Sequence, residues 1–80
     1  MKAWISATYS DEEGPMAIEG KSIIVHGTKE DMKAIAAFMM SVVESLEDSD
    51  RCHVHLQDHM PGWTKGRHID IEMNVGQGYE

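Results

Sequence analysis

The chain has 80 residues, with 14 acidic and 7 basic side chains and a formal net charge of -7 at pH 7. Phosphate backbones and anionic membranes repel such a charge, so we expect no nucleic acid and no membrane as partners, whereas a basic protein is attracted. The length predicts a single domain over residues 1–80 with one modest core. The single Cys52 excludes an internal disulfide. No signal-peptide pattern or membrane-spanning apolar run is recognisable, so a cytoplasmic location is expected.

The first quarter of the chain predicts one strand and an acidic loop. Residues 2–9 alternate with period 2, which sets Trp4 on the face opposite Ala3, Ile5 and Ala7. Trp4 then either faces the open side of a sheet or plugs one end of the core, and both interpretations stay open. After the acidic loop, a short strand can form near residues 16–18, and the β-branched run 22–26 predicts a clear second strand.

A helix is predicted over about 29–47. Thr28 is an N-cap residue, and Asp31 stands three positions later as a variant of the capping box. Apolar residues then recur at helical spacing and predict a core-facing stripe, and Phe38 and Met40 flank this stripe and are expected to widen the buried arc. The stripe consists of Met32, Ile35, Ala36, Met39, Val42, Val43 and Leu46. Acidic residues follow it, a charge that disfavours a helix C-terminus, so fraying is expected after about Leu46.

The last third of the chain predicts a hairpin of strands 51–57 and 68–75 around a Pro/Gly loop. Alternation separates an apolar face from a polar one. The apolar face carries Cys52, Val54, Leu56, Ile69, Ile71, Met73 and Val75, and the polar face carries His53, His55, His68, Asp70, Glu72 and Asn74.

The order of these elements predicts an α+β fold with β-β-α-β-β order. One helix would pack on a four-stranded, mainly antiparallel sheet as a two-layer sandwich. The second face of that sheet would be solvated, form a homodimer or bind a partner. Residues 76–80 are expected to be a loose tail, and the sequence leaves strand order, hairpin register and oligomeric state open.

The polar hairpin face suggests a metal site as one hypothesis. His53 and His55 lie roughly 6.5 to 7 Å apart along a strand, close enough for both rings to reach one ion. His68 or Asp70 across the hairpin, or Asp58 and His59 at its mouth, could complete a tetrahedral zinc site. The same pattern is also common on a solvated strand, and no motif with stricter metal-ligand spacing accompanies it.

Catalysis is a weaker hypothesis, and the chain is not expected to be an enzyme. A histidine beside an aspartate can act in acid/base chemistry, but no nucleophile motif or phosphate-binding loop accompanies the pair, so a small hydrolase ranks third.

Protein recognition fits the composition better, because aromatic residues provide contact area and acids attract a basic partner. The candidate partner-binding residues are Trp4, His53, His55, Asp58, His59, Trp63, His68, Asp70 and Glu72. Trp63 has two open interpretations, an exposed anchor on its loop or a lid over the end of the core.

Residues 22–75 resemble the immunity protein 32 family, small α+β proteins of bacterial polymorphic toxin systems. The likeness lies in Gly27 before a capped helix that ends in acids, the run His53-Val54-His55-Leu56-Gln57-Asp58, a loop with Trp63, and Ile69-Asp70-Ile71 in the closing strand. The resemblance implies a non-catalytic protein that neutralises a toxin domain by tight binding, with no cofactor. Many such toxins are nucleases with basic clefts, which agrees with the charge of this chain. Residues before 22 have no counterpart in the resemblance.

Overall fold

A computed structural model of the protein describes residues 1–79. The fold is α+β, with one helix and two antiparallel sheets of two strands each. The elements are β1 (Ala3–Ile5), β2 (Ile18–Gly20), α1 (Lys29–Asp48), β3 (Arg51–His55), a short 3-10 turn (Leu56–Asp58) and β4 (Glu72–Gly76).

Helix α1 begins at the capping box that the sequence contains. The Thr28 hydroxyl accepts a hydrogen bond from the Asp31 backbone N–H at 3.1 Å, and the Asp31 carboxylate accepts one from the Thr28 backbone N–H at 3.0 Å. Each residue thus satisfies a backbone donor that the first helical turn leaves without a partner. The helix ends at Asp48, about two residues after the expected start of fraying.

The core lies between α1 and the β3–β4 hairpin. Phe38, Val42 and Leu56 are buried, and Ile35, Met39 and Leu46 of the predicted stripe pack against them. Met32, Ala36 and Val43, predicted as core, are exposed instead, and so is Met40, which was expected to widen the buried arc. A helix presents a core face narrower than the full run of apolar positions when only a two-stranded hairpin covers it.

Strands β3 and β4 pair in a register that fixes the polar face. His53 lies opposite Asn74, and His55 lies opposite Glu72. The strands are shorter than predicted, because a side chain in the connecting residues takes the place of a strand partner for the backbone. The Asp70 carboxylate accepts the Gln57 backbone N–H at 3.0 Å, so the polypeptide leaves the regular ladder there.

The predicted four-stranded sheet is wrong, because β1 and β2 form a separate hairpin. β1 ends at Ile5, where the Ser6 hydroxyl donates to the Thr8 carbonyl at 2.9 Å and forms a local turn. Residues 22–26, predicted as a strand, lie outside the assigned strands. Their β-branched side chains favour an extended backbone, but a strand also requires a hydrogen-bonded neighbour.

Tyr9 connects the N-terminal part of the chain to the loop after β3. Its hydroxyl donates to the His68 carbonyl and accepts the Gly66 backbone N–H at 3.1 Å. Its ring also meets Trp63 edge to face, with 5.7 Å between the ring centroids. Lys65 adds an ion pair with Asp11 at 3.1 Å. These contacts fix the position of the first segment without extending the main sheet.

The C-terminal tail begins one residue later than predicted, because Gly76 belongs to β4. Residues 77–79 follow as a turn, and Glu80, the last residue of that predicted tail, lies outside the described residues. Within residues 1–79, no helix combines the length and the apolar character needed to cross a bilayer.

Candidate functional site

The solvent-facing side of the β3–β4 hairpin brings several predicted site residues together. His53, His55 and Glu72 lie there side by side, and the Asp70 carboxylate reaches them from the residues before β4. We call these four residues with Asn74 the histidine cluster. The alternation of the two strands puts this cluster on the side opposite the core.

His55 is the most constrained member of the histidine cluster. Its Nδ1 lies 2.6 Å from Oδ2 of Asp70, and the two side chains are 17% and 10% exposed. Because a carboxylate only accepts hydrogen bonds, His55 Nδ1 carries a proton. The hydrogen bond that His55 donates to the Asp70 carboxylate raises the pKa of His55; burial lowers it, and the charges of Asp70, Glu72 and Asp58 raise it further. Asp70 is itself held by the Gln57 backbone N–H, so the ring orientation is fixed by the 3-10 turn.

The remaining nitrogen of His55 faces a second carboxylate. Nε2 lies 3.4 Å from Oε1 of Glu72. Glu72 is oriented by Asn74, whose Nδ2 donates to Oε2 at 2.8 Å. The other side of the Asn74 amide, Oδ1, accepts from Nδ1 of His53. In the neutral tautomer that this hydrogen bond selects, the lone pair of the His53 ring lies on Nε2.

Asp58 and His59, also candidates from the sequence, lie beside the cluster without entering it. Asp58 is exposed at the end of the 3-10 turn. His59 Nδ1 lies 3.1 Å from the carbonyl of His55, and its ring packs against the buried Phe38 with 5.6 Å between centroids. These contacts give His59 a structural role at the end of the core.

Trp63 and His68 do not join the histidine cluster. The Trp63 indole N–H donates to the Ile69 carbonyl at 2.9 Å, and the side chain packs against the core residues. His68 stacks on that indole at 6.4 Å between centroids, and its Nδ1 accepts the Thr64 backbone N–H at 3.0 Å. Of the two interpretations of Trp63, the lid over the end of the core describes these contacts. His68 therefore lies outside the metal set suggested by the sequence, and Glu72 lies in the place expected for it.

Trp4 lies apart from both groups. It belongs to β1, opposite Glu19 of β2, and is 62% exposed. It does not plug the core, so the open-side interpretation describes its position, although that side belongs to the small β1–β2 hairpin.

A surface that the sequence reasoning missed lies on the outer side of α1. Met40 follows Phe38 by two residues, about 200° around a helix of 3.6 residues per turn, and so points away from the core. Met40 is 58% exposed and Val43 is 56% exposed. Ala36, Glu44 and Glu47 are exposed on the same side. We call these five residues the outer face. A helical projection centred on Phe38 would have found it, but the sequence pattern of the apolar positions favoured a wider stripe.

The C-terminal end of α1 is strongly negative. Glu44, Glu47, Asp48 and Asp50 are exposed, and the last turn contains no basic residue. None of these carboxylates forms an ion pair with another residue in the 1–79 part of the chain. They also lie at the end of the helix where the dipole is already negative, an arrangement that disfavours the helix by a few tenths of a kcal/mol for each charge.

Two surface depressions of the described chain are smaller than an ordinary ligand pocket. A depression of about 70 Å³ lies between Val25, Met32 and Ile69, beside the start of α1. A second of about 190 Å³ lies beside Arg51 and His53. Ligand pockets usually enclose about 300–1,000 Å³.

Comparison with known proteins finds no matching protein family, no matching curated protein and no matching solved structure.

Proposed function

We propose that this chain is a non-catalytic protein-binding module, an immunity protein that neutralises a basic toxin domain, and that the outer face of α1 is its contact surface. The observation that carries the proposal is the exposure of Met40 and Val43 beside unpaired carboxylates on one rigid helix. Buried apolar contacts surrounded by charge are the usual composition of a protein interface.

The choice of a basic partner rests on charge. The net charge of the chain is -7, and the acidic end of α1 concentrates four carboxylates next to the outer face. Such a field accelerates association with a basic surface and repels nucleic acid. The acids disfavour the helix that carries them, and a cost to stability without a local compensation is typical of a functional surface.

The toxin class comes from the resemblance of residues 22–75 to the immunity protein 32 family. Inhibition of a nuclease requires only that an acidic protein occupies the basic cleft, so the inhibitor needs no catalytic group of its own. The proposal shifts the main contact from the hairpin residues to α1, because Trp63, His59 and His68 are engaged in contacts within the chain. Asp58 and Trp4 are exposed on other parts of the surface.

The test compares three immobilised proteins as baits in an extract of the source organism. The wild type is compared with Met40→Glu, which places a charge in the centre of the outer face. Met16→Glu is the matched control, because Met16 is also exposed and precedes β2, away from α1. Circular dichroism checks that all three proteins are folded. We expect them to be, because substitutions at exposed positions usually change the free energy of unfolding by less than about 0.5 kcal/mol.

We expect the wild type and Met16→Glu to retain the same basic protein in a 1:1 ratio, and Met40→Glu to lose it. The purified partner should bind again in isolation, with an association rate that falls as salt increases. Retention of the same proteins by all three baits would contradict the proposal. A homodimer that Met40→Glu dissociates would also contradict it, because the outer face would then be a contact between two copies.

A further inference from the structure

We propose that the histidine cluster is a zinc site in which His53, His55 and Glu72 are the protein ligands and Asp70 positions His55. This inference is independent of the proposed protein-binding function, since the cluster lies on the hairpin and the outer face lies on α1. The sequence alone suggested His53 and His55 with His68 or Asp70; the structure replaces the last two with Glu72 as ligand.

The first argument is the convergence of ligand atoms. One ligand atom each from His53, His55 and Glu72 lies within 4.8 Å of the other two. Two atoms bound to a tetrahedral zinc ion at about 2.0–2.1 Å are about 3.3–3.4 Å apart. The distance between His55 Nε2 and Glu72 Oε1 is 3.4 Å, so one edge of the tetrahedron is already formed.

The second argument is that the free ring nitrogen of His55 lies beside a carboxylate across that edge. His55 Nδ1 is engaged by Asp70, so in the neutral ring Nε2 carries the lone pair, 3.4 Å from Oε1 of Glu72. Such a pair can share a cation, which is a proton when His55 is an imidazolium and a metal ion in the proposed complex. A divalent ion binds both, and neutral imidazole with carboxylate is a ligand set that zinc accepts.

The third argument is the support behind the ligands. Histidine ligands of metals usually donate their other N–H to a carboxylate or carbonyl, which fixes the ring. His55 has this partner in Asp70, and Asp70 is anchored by the Gln57 N–H at 3.0 Å. Asn74 orients the other two ligands, since its amide oxygen accepts a hydrogen bond from His53 and its amide N–H donates one to Glu72. These hydrogen bonds orient His53, His55 and Glu72 before a metal ion binds.

Three protein ligands leave the fourth position of a tetrahedral ion to water or to a group from another molecule. The mixed nitrogen and oxygen donors favour zinc and related transition metals over Mg²⁺ or Ca²⁺, which prefer oxygen ligands and higher coordination numbers. The proposed site therefore binds a divalent transition-metal ion of the zinc type, and Zn²⁺ is the ion used to test it.

The test is titration of the tag-free full chain with ZnCl₂ by isothermal calorimetry, after removal of metal with a chelator. We expect a 1:1 complex whose affinity falls at least about tenfold in His53→Ala, His55→Ala and Glu72→Gln, with a smaller loss in Asp70→Asn. His26→Ala is the matched control, because His26 is exposed and lines the depression beside α1 instead. MgCl₂ should give no comparable heat.

A second readout separates coordination from a general loss of structure. Co²⁺ in a four-coordinate site absorbs strongly in the visible range, and this band should appear in the wild type and in His26→Ala but not in His55→Ala. Circular dichroism of the metal-free variants shows whether each is folded. Zn²⁺ binding that is unaffected by His53→Ala and His55→Ala, or no binding in the folded wild type, would overturn the proposal.

Discussion

Two neighbouring valines on α1 give a direct test of which side of the helix faces the core. Val42 is 5% exposed and belongs to the core, whereas Val43 is 56% exposed on the outer face. The two residues are chemically identical and adjacent in the same helix. Replacing each by alanine therefore isolates the effect of burial.

The expected cost at Val42 follows from the two carbon atoms that alanine lacks. Each buried methylene contributes about 0.8 kcal/mol, and the cavity left behind adds to the loss, so Val42→Ala should reduce the free energy of unfolding by about 1.5–3 kcal/mol. At Val43 about half of the side chain is already in water. The remaining loss of under about 1 kcal/mol is offset by the better helix propensity of alanine, about 0.5 kcal/mol. Val43→Ala should therefore be close to neutral.

Urea denaturation followed by circular dichroism measures both values. A change of 1 kcal/mol shifts the melting temperature of a domain of this size by about 4–8 °C, so thermal unfolding would show the same difference. The reasoning is refuted if Val43→Ala destabilises the protein as much as Val42→Ala does. The outer face would then be buried, and the proposed contact surface would not exist. The proposed function adds a contrast: Val43→Ala should weaken partner binding although it leaves stability unchanged.

Three further substitutions test the contacts that hold the fold. The hydrogen bond from the Thr28 backbone N–H lowers the pKa of Asp31. The stabilisation by this cap is therefore complete above the unfolded-state pKa of Asp31 and is lost as the pH falls through the lower folded-state pKa. When stability is measured against pH in the acid range, Asp31→Asn should show a shallower decrease than the wild type. Tyr9→Phe removes the hydroxyl that joins the Gly66 N–H to the His68 carbonyl and should cost about 1 kcal/mol in urea denaturation, with faster hydrogen exchange in the N-terminal segment than in α1. Gly76→Ala should cost about 1–3 kcal/mol, because Gly76 has φ +136° and a Cβ there would lie 2.7 Å from the Asp50 carbonyl oxygen; an unchanged melting temperature would contradict this account of the end of β4.

The sequence predicted the helix well because its signals are local. The Thr28–Asp31 cap and the apolar spacing act within a few turns, and α1 runs over Lys29–Asp48 against a prediction of about 29–47. The alternation in the last third likewise separated His53 and His55 from the core side. These features depend only on residues close together in the chain.

The sheet could not be predicted in the same way, because strand pairing depends on which distant segment supplies hydrogen bonds. Residues 22–26 have the composition of a strand, yet they lie outside the assigned strands, while the less promising Ile18–Gly20 pairs with β1. The choice of site residues failed for a related reason. His68 was assigned to the polar hairpin face by alternation, but hydrogen bonds with Thr64 hold it in the loop, where its ring stacks on Trp63.

The outer face was missed because seven apolar positions at helical spacing were assigned to one side. Which of them is buried depends on the width of the surface that packs on the helix, and a two-stranded hairpin covers less than a four-stranded sheet would. Phe38 and Met40, treated together as flanking residues, lie on opposite sides of α1. The error in the helix face is therefore one of width, since Ile35, Met39, Val42 and Leu46 face the core as predicted.

The central claim, that a basic partner binds the outer face of α1, is tested most directly by NMR of the protein with ¹³C-labelled methionine methyl groups. Met39 and Met40 are neighbours in sequence, but Met39 packs against the core and Met40 is exposed. When the captured partner is added to 1:1, the Met40 methyl signal should shift or broaden, while that of the exposed Met16 stays unchanged. A complex in which the Met40 signal does not move and the Met16 signal does would contradict the account.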